Sequence, residues 1–309
     1  MSELVSVVIR TLNEEKHLEE LLTAISVQES NTFKVETVIV DSGSTDRTLD
    51  IAKKFNCRIT YIKKEDFTFG RSLNVGCSFA DGKYLIFVSG HCIPASSTWL
   101  HDLVLPLKQE NIAYTYGKQI GRDTTKFSER QLFYKYFPDE NSIPQEGYFC
   151  NNANSAIRKD VWEKYQFDEK LTGCEDMYLA KKIVKDGMVL GYVGTAPVYH
   201  IHDESWHKVG IRYEREAIAL QKIMPEVHVT FFDMIKYVII GVIKDTRIAF
   251  KQRCLIKEFF SICAFRYVQY VGAYKGNHIH RKLSKEMKMK YFYPRVSDMK
   301  IKTHLSDKD

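Results

Sequence analysis

Three times within the first 90 residues, an apolar run rich in β-branched side chains gives way to a polar cluster and then to helical periodicity. Leu4–Ile9 is the first such run, ending at Arg10-Thr11-Leu12-Asn13-Glu14-Glu15. Leu18, Leu21, Leu22 and Ile25 then recur at spacings of three and four, and Asn13 with Glu15 and Lys16 marks the approach to that helix. Val35–Val40 is the second strand. A helix from about Thr45 to Phe55 follows it, with Leu49, Ile51 and Ala52 on the buried side. Cys57–Ile62 reads as a third strand, and a helix starting near Gly70 leads to Tyr84–Val88, the fourth. Strand–helix alternation at a spacing of about 30 residues admits few architectures. It predicts an α/β fold: a mostly parallel, Rossmann-like sheet wrapped by right-handed crossovers, with flanking helices.

Tyr84–Val88 is apolar without interruption, as suits a strand buried on both faces. It ends abruptly at Ser89-Gly90-His91-Cys92, and Pro94 is expected to stop the strand. In open α/β sheets ligands bind beyond the carboxyl ends of the strands, so a histidine and a thiol here stand where chemistry is expected. A tight turn with a surface histidine is the equal alternative. At the end of the second strand stands Asp41-Ser42-Gly43-Ser44-Thr45-Asp46. Its first carboxylate is placed to accept hydrogen bonds from a base or ribose, Gly43 permits a tight turn, and Ser44, Thr45 and Asp46 can cap the next helix. An ordinary strand-to-helix loop with a capping aspartate explains the same residues. Neither GxxxxGK[ST] nor GxGxxG occurs, which excludes the common phosphate loops.

The seven cysteines are odd in number and include no CxxC pair. That argues against a disulfide framework or zinc knuckle and for a reducing compartment. No signal peptide is read at the amino terminus, and no window holds the 18 to 20 apolar residues that a spanning helix needs. A cytoplasmic protein is expected. From residue 228 onward there are 17 Lys and Arg against 7 Asp and Glu, a net of +10 in a chain whose total is +6. The preceding part is therefore mildly acidic, which speaks against nucleic acid as a partner and points the basic region toward an anionic surface.

Val5–Glu15, Val38–Asp46 and Gly70-Arg71-Ser72-Leu73-Asn74-Val75-Gly76 together resemble the nucleotide-sugar half of family 2 glycosyltransferases with a GT-A fold. The resemblance spans about residues 4 to 205. It implies that Thr11, Asn13 and Glu14 border the nucleoside, that Asp41 bonds the base with Ser44 and Asp46 close by, and that Arg71 and Asn74 lie near the diphosphate. An arginine fits that place, because its planar fork pairs bidentately with phosphate. Family members usually carry Asp-x-Asp after the fourth strand, holding Mg²⁺ or Mn²⁺ on the donor diphosphate; here those positions hold Ser89 and His91, flanking Gly90. Serine anchors a hard cation poorly, whereas histidine still binds Mn²⁺. Two readings stay open: a divalent metal (Mn or Mg) held by His91 with a later histidine, or a metal-free site in which His91 and Arg71 stabilise the leaving diphosphate. Glu65–Arg71 also resembles a pattern of bacterial polysaccharide glycosyltransferases, rhamnosyltransferases among them.

Residues 1–225 are thus expected to form a GT-A domain, with 1–105 the nucleotide-sugar half and 106–225 the acceptor half. Phe127–Phe137 suits a helix whose aromatics form core or lid. Asn151, Asn152 and Asn154 resemble the family's donor-sugar loop, where amides bond sugar hydroxyls; an Asx-rich turn is the alternative. Glu175-Asp176 resembles the pair that opens a helix in this family, and the resemblance implies that Asp176 is the general base, with Glu175 the substitute candidate. First-turn charge favoured by the helix dipole is the plainer reading. Gly191–His202 reads as a strand whose His200 and His202 share one face, either being a candidate metal partner for His91.

Phe231–Phe250 and Phe259–Val271 read as apolar, basic helices within a C-terminal region 226–309, suited to a membrane interface or to packing on the body or a second subunit. Lys282–Lys290 and Thr303–Asp309 are expected to be solvated. The reading as a whole is an inverting glycosyltransferase using a nucleotide-sugar donor of UDP or dTDP type. Its acceptor would be a polysaccharide, lipid-linked glycan or glycolipid at the cytoplasmic face of a bacterial membrane, with a homo-oligomer through the C-terminal helices as a further expectation. A nucleotidyltransferase and a catalytically impaired sugar or lipid platform are the rivals.

Overall fold

The computed structural model describes residues 3–29, 32–279 and 291–292; Lys282–Lys290 and Thr303–Asp309 lie outside the described residues. The chain divides into two compact units at Asp203/Glu204, ahead of the 225/226 boundary expected above.

The first unit opens with β1 (Glu3–Thr11), α1 (Leu18–Ser26), β2 (Phe33–Asp41), α2 (Thr48–Lys54), β3 (Arg58–Tyr61), α3 (Phe69–Phe79) and β4 (Tyr84–Ser89). β3, β2, β1 and β4 lie side by side and parallel, as the alternation predicts. Both faces of β1 are covered, since Val5, Val7, Val8 and Ile9 are all essentially inaccessible. α2 begins at Thr48, later than its periodicity suggested: Asp46 Oδ1 accepts from both the backbone N–H and the hydroxyl of Thr48, in a turn that occupies the residues just ahead of the helix. The Thr68 hydroxyl likewise accepts from Arg71 N–H and starts α3.

Beyond β4 the extended chain resumes as β5 (Cys92–Pro94), which ends at Pro94 as expected. β5 lies at the sheet edge, where a residue lacking an N–H leaves no ladder bond unmade on the solvent side. There follow α4 (Trp99–Val104), β6 (Ile112–Ile120), α5 (Phe127–Tyr136), β7 (Asn154–Arg158), α6 (Lys159–Tyr165), α7 (Glu175–Lys185) and β8 (Val189–His200). The sheet order is β3-β2-β1-β4-β7-β6-β8-β5. β7 runs antiparallel to β4 and β6, while β6 and β8 are parallel. This order brings the carboxyl ends of β1, β2 and β4 level, with Thr11 opposite Asp41 and Arg10 opposite Ser89.

Among the described residues the second unit holds α8 (Trp206–Ile223), α9 (Phe231–Lys251) and α10 (Leu255–Asn277), with Tyr291 buried and its hydroxyl donating to Glu214. α10 lies close on α8: a Cβ at Gly272 would meet Gly210 O at 2.4 Å, and one at Gly276 would meet Glu214 O at 2.1 Å. α9 and α10 are pinned by a buried ion pair, Arg266 to Asp245 at 2.7 and 2.9 Å, with Gln269 Oε1 accepting from the same guanidinium.

Candidate active site

The loops after β1 and β2 interlock into one rim. Asp41 accepts from Thr11 Oγ1 and Ser44 Oγ on one oxygen and from the backbone N–H groups of Gly43 and Ser44 on the other. Those four bonds fill its lone pairs, and with 1% exposure it serves the loop from beneath. Gly43 takes φ +95°, the left-handed region that the turn requires. Ser44 Oγ accepts from Asn13 N–H and Asn13 Oδ1 from Thr45 N–H, with Asn13 itself at φ +57°. Glu14 N–H donates to Thr48 Oγ1 and Glu15 N–H to Asp46. Thr11, Asn13, Glu14, Asp41, Ser44 and Asp46 are therefore brought together.

Glu14 carries the rim to the next cluster. Gly90 is packed against it so tightly that a Cβ would stand 2.8 Å from Glu14 Cγ. His91 Nδ1 lies 3.4 Å from Glu14 Oε1, and Ile201 N–H donates to His91 O, which ties the Ser89-Gly90-His91 turn to the end of β8. The rings of His91, His200 and His202 gather there, with centroids 5.3, 6.0 and 4.0 Å apart pairwise, and each offers a nitrogen within 4.8 Å of the others. His200 Nδ1 donates to Gln119 Oε1 at 2.6 Å, and His202 Nδ1 to the buried carboxylate of Glu129 at 2.7 Å. Anchoring one ring nitrogen on an oxygen fixes the tautomer and aims the ring, the usual arrangement behind a metal-binding histidine. Three imidazoles without a carboxylate suit Mn²⁺ or a softer divalent ion better than Mg²⁺.

The second feature is the carboxylate pair. Cys174 adopts φ +52°, and the turn this makes starts α7 directly at Glu175-Asp176. Glu175 Oε1 lies 3.4 Å from Arg10 Nη1, and Arg10 also stacks on Phe69 and donates to its carbonyl. Asp176 accepts from Asn152 N–H at 2.7 Å and from Met177 N–H at 2.8 Å. Burial pushes its carboxyl up to about 7; the Glu175 charge adds to the rise, while those two N–H bonds and Arg10 hold it back. Beside it, the Asn152 side-chain oxygen accepts from Tyr114 and Ser155, yet its buried Nδ2 has no hydrogen-bond partner. A buried amide donor left waiting next to a carboxyl of neutral pKa is suited to a polar ligand.

Other residues singled out from the sequence lie elsewhere. Asn154 is inaccessible and fully engaged, accepting from Trp99 Nε1 and donating to Lys118 O and Ala196 O. Asn74 accepts from Trp162 Nε1 and Phe167 N–H and donates to Phe167 O and Glu169. With every amide atom used, these two hold elements together, which corrects the expectation that they contact the donor. Arg71 pairs with Glu169 at 3.0 Å and Asp66 at 3.6 Å; the arginine that reaches the carboxylate pair is Arg10. Ser89 lies half-buried at the turn, its N–H donating to Ala153 O. Arg10, Tyr114, Gln119 and Glu129 were not foreseen. Only Arg10, a cation closing a buried strand, left a signal in the sequence.

Three comparisons bear on this geometry. The family model described as "Glycosyl transferase family 2" matches residues 6–166. The O-antigen chain rhamnosyltransferase RfbN of Salmonella typhimurium is 26% identical over 211 residues, 64% of this chain and 67% of that protein. Its counterpart WbaN of Salmonella anatum is 25% identical over 179 residues, 54% of this chain and 57% of that one. Among solved structures, the mannosyltransferase PcManGT from Pyrobaculum calidifontis, in complex with GDP-Man and Mn²⁺, superposes with a TM-score of 0.56 at 17% identity, covering 88% of this chain and 74% of its own. S. aureus TarS 1–349 in complex with UDP-GlcNAc gives 0.54 at 17% identity, covering 91% and 93%. At such identities the likeness to both structures is one of fold.

Proposed function

The chain belongs to glycosyl transferase family 2 and has the GT-A fold, and from that premise we propose that it moves a hexosyl or deoxyhexosyl group, with inversion, from a nucleotide-sugar donor of UDP or dTDP type to a hydroxyl of a surface glycan or lipid-linked acceptor. The observation that carries the proposal is Asp176, a buried carboxyl of near-neutral pKa at the mouth of α7. A base with a proton affinity near ambient pH suits the task of accepting a proton from an attacking hydroxyl. In the reaction the acceptor oxygen forms a bond to the anomeric carbon, the bond from that carbon to the diphosphate oxygen breaks, and the hydroxyl proton passes to Asp176. Asn152 Nδ2 donates to a sugar oxygen at the same place, and the rim of Thr11, Asn13, Glu14 and Ser44 receives the nucleoside. Direct displacement from the opposite face inverts the centre. Glu175, held by Arg10, acts through Asp176 by raising its proton affinity.

His91, His200 and His202 would hold a divalent cation, which when bound neutralises the charge that grows on the leaving diphosphate. The metal-free reading needed Arg71 at the diphosphate, and the pairing of Arg71 with Glu169 and Asp66 disfavours it. The names of the Salmonella relatives support O-antigen-like acceptors. Among the described residues no helix is long and apolar enough to cross a membrane, so a lipid-linked acceptor would be met at the membrane surface. The impaired-platform rival lacks a reason for the buried, tuned carboxyl, and nothing in the loop after β1 resembles a nucleotidyltransferase's glycine-rich cradle.

Thermal shifts with UDP, dTDP, GDP and CMP, each with Mn²⁺, Mg²⁺ or EDTA, test the reading. A nucleotide at about 100 times its dissociation constant stabilises by about 2.7 kcal/mol. One base should respond, more with Mn²⁺ than with Mg²⁺, and His91→Ala should remove the metal dependence and lower Mn²⁺ affinity measured by calorimetry. No response to any nucleotide would overturn the donor site; a metal response unaltered in His91→Ala would overturn the histidine site alone.

A further inference from the structure

The α9–α10 hairpin carries a surface that the transfer reaction does not use. α9 turns only a narrow stripe of Gly241, Asp245 and Ala249 inward. On the opposite side Phe232, Ile239, Ile243 and Phe250, spaced by seven, four and seven residues, fall within an arc of about 40° at about 100° per residue. All four are exposed, Phe232 at 80% and Phe250 at 71%. Lys236, Lys244, Arg247 and Lys251 border this line. Both acids of the helix are already committed, Asp233 to the capping box with Thr230 and Asp245 to Arg266. At the hairpin tip Ile256 and Phe260 are 96% and 82% exposed. There Thr246, Arg247, Phe250, Lys251 and Leu255 line a shallow, mainly apolar hollow of about 340 Å³.

We infer that this hairpin docks the protein on an anionic lipid surface, with α9 lying along the interface, its apolar line in the acyl boundary and its four cations among the headgroup phosphates. Three properties of the face select lipid over a second copy of the chain. A two-fold contact would set this patch against itself, gathering eight cations in one seam while Asp233 of each copy is already held in its own capping box. Large apolar side chains with cations along one edge match the division between acyl chains and anionic headgroups. The helix is 21 residues long yet interrupted by charge every few positions, so it suits lying on a bilayer rather than spanning one. The inference stands apart from the glycosyl-transfer reading, because docking is measured without turnover.

The test is co-sedimentation of the full chain with vesicles of phosphatidylcholine alone and of an equal mixture with phosphatidylglycerol. Binding is expected to the mixed vesicles and to be much weaker in about 1 M salt, where the Debye length is about 3 Å. Each cation near the surface contributes about fivefold, so Lys244→Ala, Arg247→Ala and Lys251→Ala combined should weaken partition by about 100-fold. Phe250→Ser with Ile256→Ser should cost at least about tenfold. All these positions are surface ones, and unchanged melting temperatures would confirm that the variants fold. Failure of the wild type to bind mixed vesicles, or equal binding by the charge variant, overturns the assignment. So does a stable dimer in sedimentation equilibrium that both variants dissociate, which would give the face to a second copy.

Discussion

Replacing Asp176 with asparagine should make the protein inactive and, at alkaline pH, more stable. In the folded chain its carboxyl has been pushed up from an ordinary 3.8 to about 7, chiefly by burial and next by Glu175. The sign follows from linkage: a folded-state pKa above the unfolded one gives stability that is whole below the unfolded value and is lost as pH rises through the folded value. Between pH 3.8 and about 7 the loss is about 1.4 kcal/mol per pH unit, about 4 kcal/mol in all. Asparagine does not titrate, so it escapes that loss. It does surrender one acceptor, because Asn152 N–H and Met177 N–H each bond a different oxygen and the amide offers only one. Leaving a buried N–H unpaired costs about 2 kcal/mol. The variant should therefore exceed wild type by about 2 kcal/mol at about pH 8, seen as a rise of about 4–8 °C in melting temperature. Near pH 5 the two should melt together, since only about 1.6 kcal/mol of the titration loss has accrued by then. Calorimetric melts across that range, paired with a nucleoside-diphosphate release assay in which transfer falls by about 10²–10⁴-fold, check both halves. A melting difference that does not change with pH would refute the claim that Asp176 titrates near neutrality; retained transfer would move the base elsewhere.

Two further outcomes can be measured alongside. Arg10→Met should leave Glu175 uncompensated and move the acid limb of the pH–rate profile upward, with a loss on the order of tenfold below neutrality that recovers at alkaline pH; a uniform loss at every pH would reduce Arg10 to a packing residue. Asn154→Ala should orphan Trp99 Nε1 and two backbone carbonyls, costing about 3 kcal/mol and about 6–12 °C in melting temperature. If this variant instead melted normally and lost nucleotide-sugar affinity, Asn154 would belong to the donor site.

What the sequence determined by itself was whatever depends on neighbours along the chain. The apolar runs from β1 to β4, the helical spacing of Leu18 to Ile25, the polar strand ends and the carboxylates opening α7 are local patterns, because burial repeats with the period of the element. Their order alone placed Thr11, Asp41, Ser89 and His91 at one edge of a parallel sheet. β5 and β7 were illegible for the same reason. One is three residues ending in proline, and the other, Asn154-Ser155-Ala156-Ile157-Arg158, has no apolar run and becomes a strand only by inserting between β4 and β6. The tertiary structure alone decided which polar groups remain for a ligand. Asn152 and Asn154 stand two residues apart in one loop, yet Trp99 and the carbonyls of 118 and 196 consume the second amide and leave a donor on the first. Arg10 meets Glu175 across 165 positions, and Glu129 steadies His202 across 73. Hydrogen-bond capacity is settled by whichever groups the folded chain brings within about 3 Å, and no periodicity in the sequence encodes those meetings.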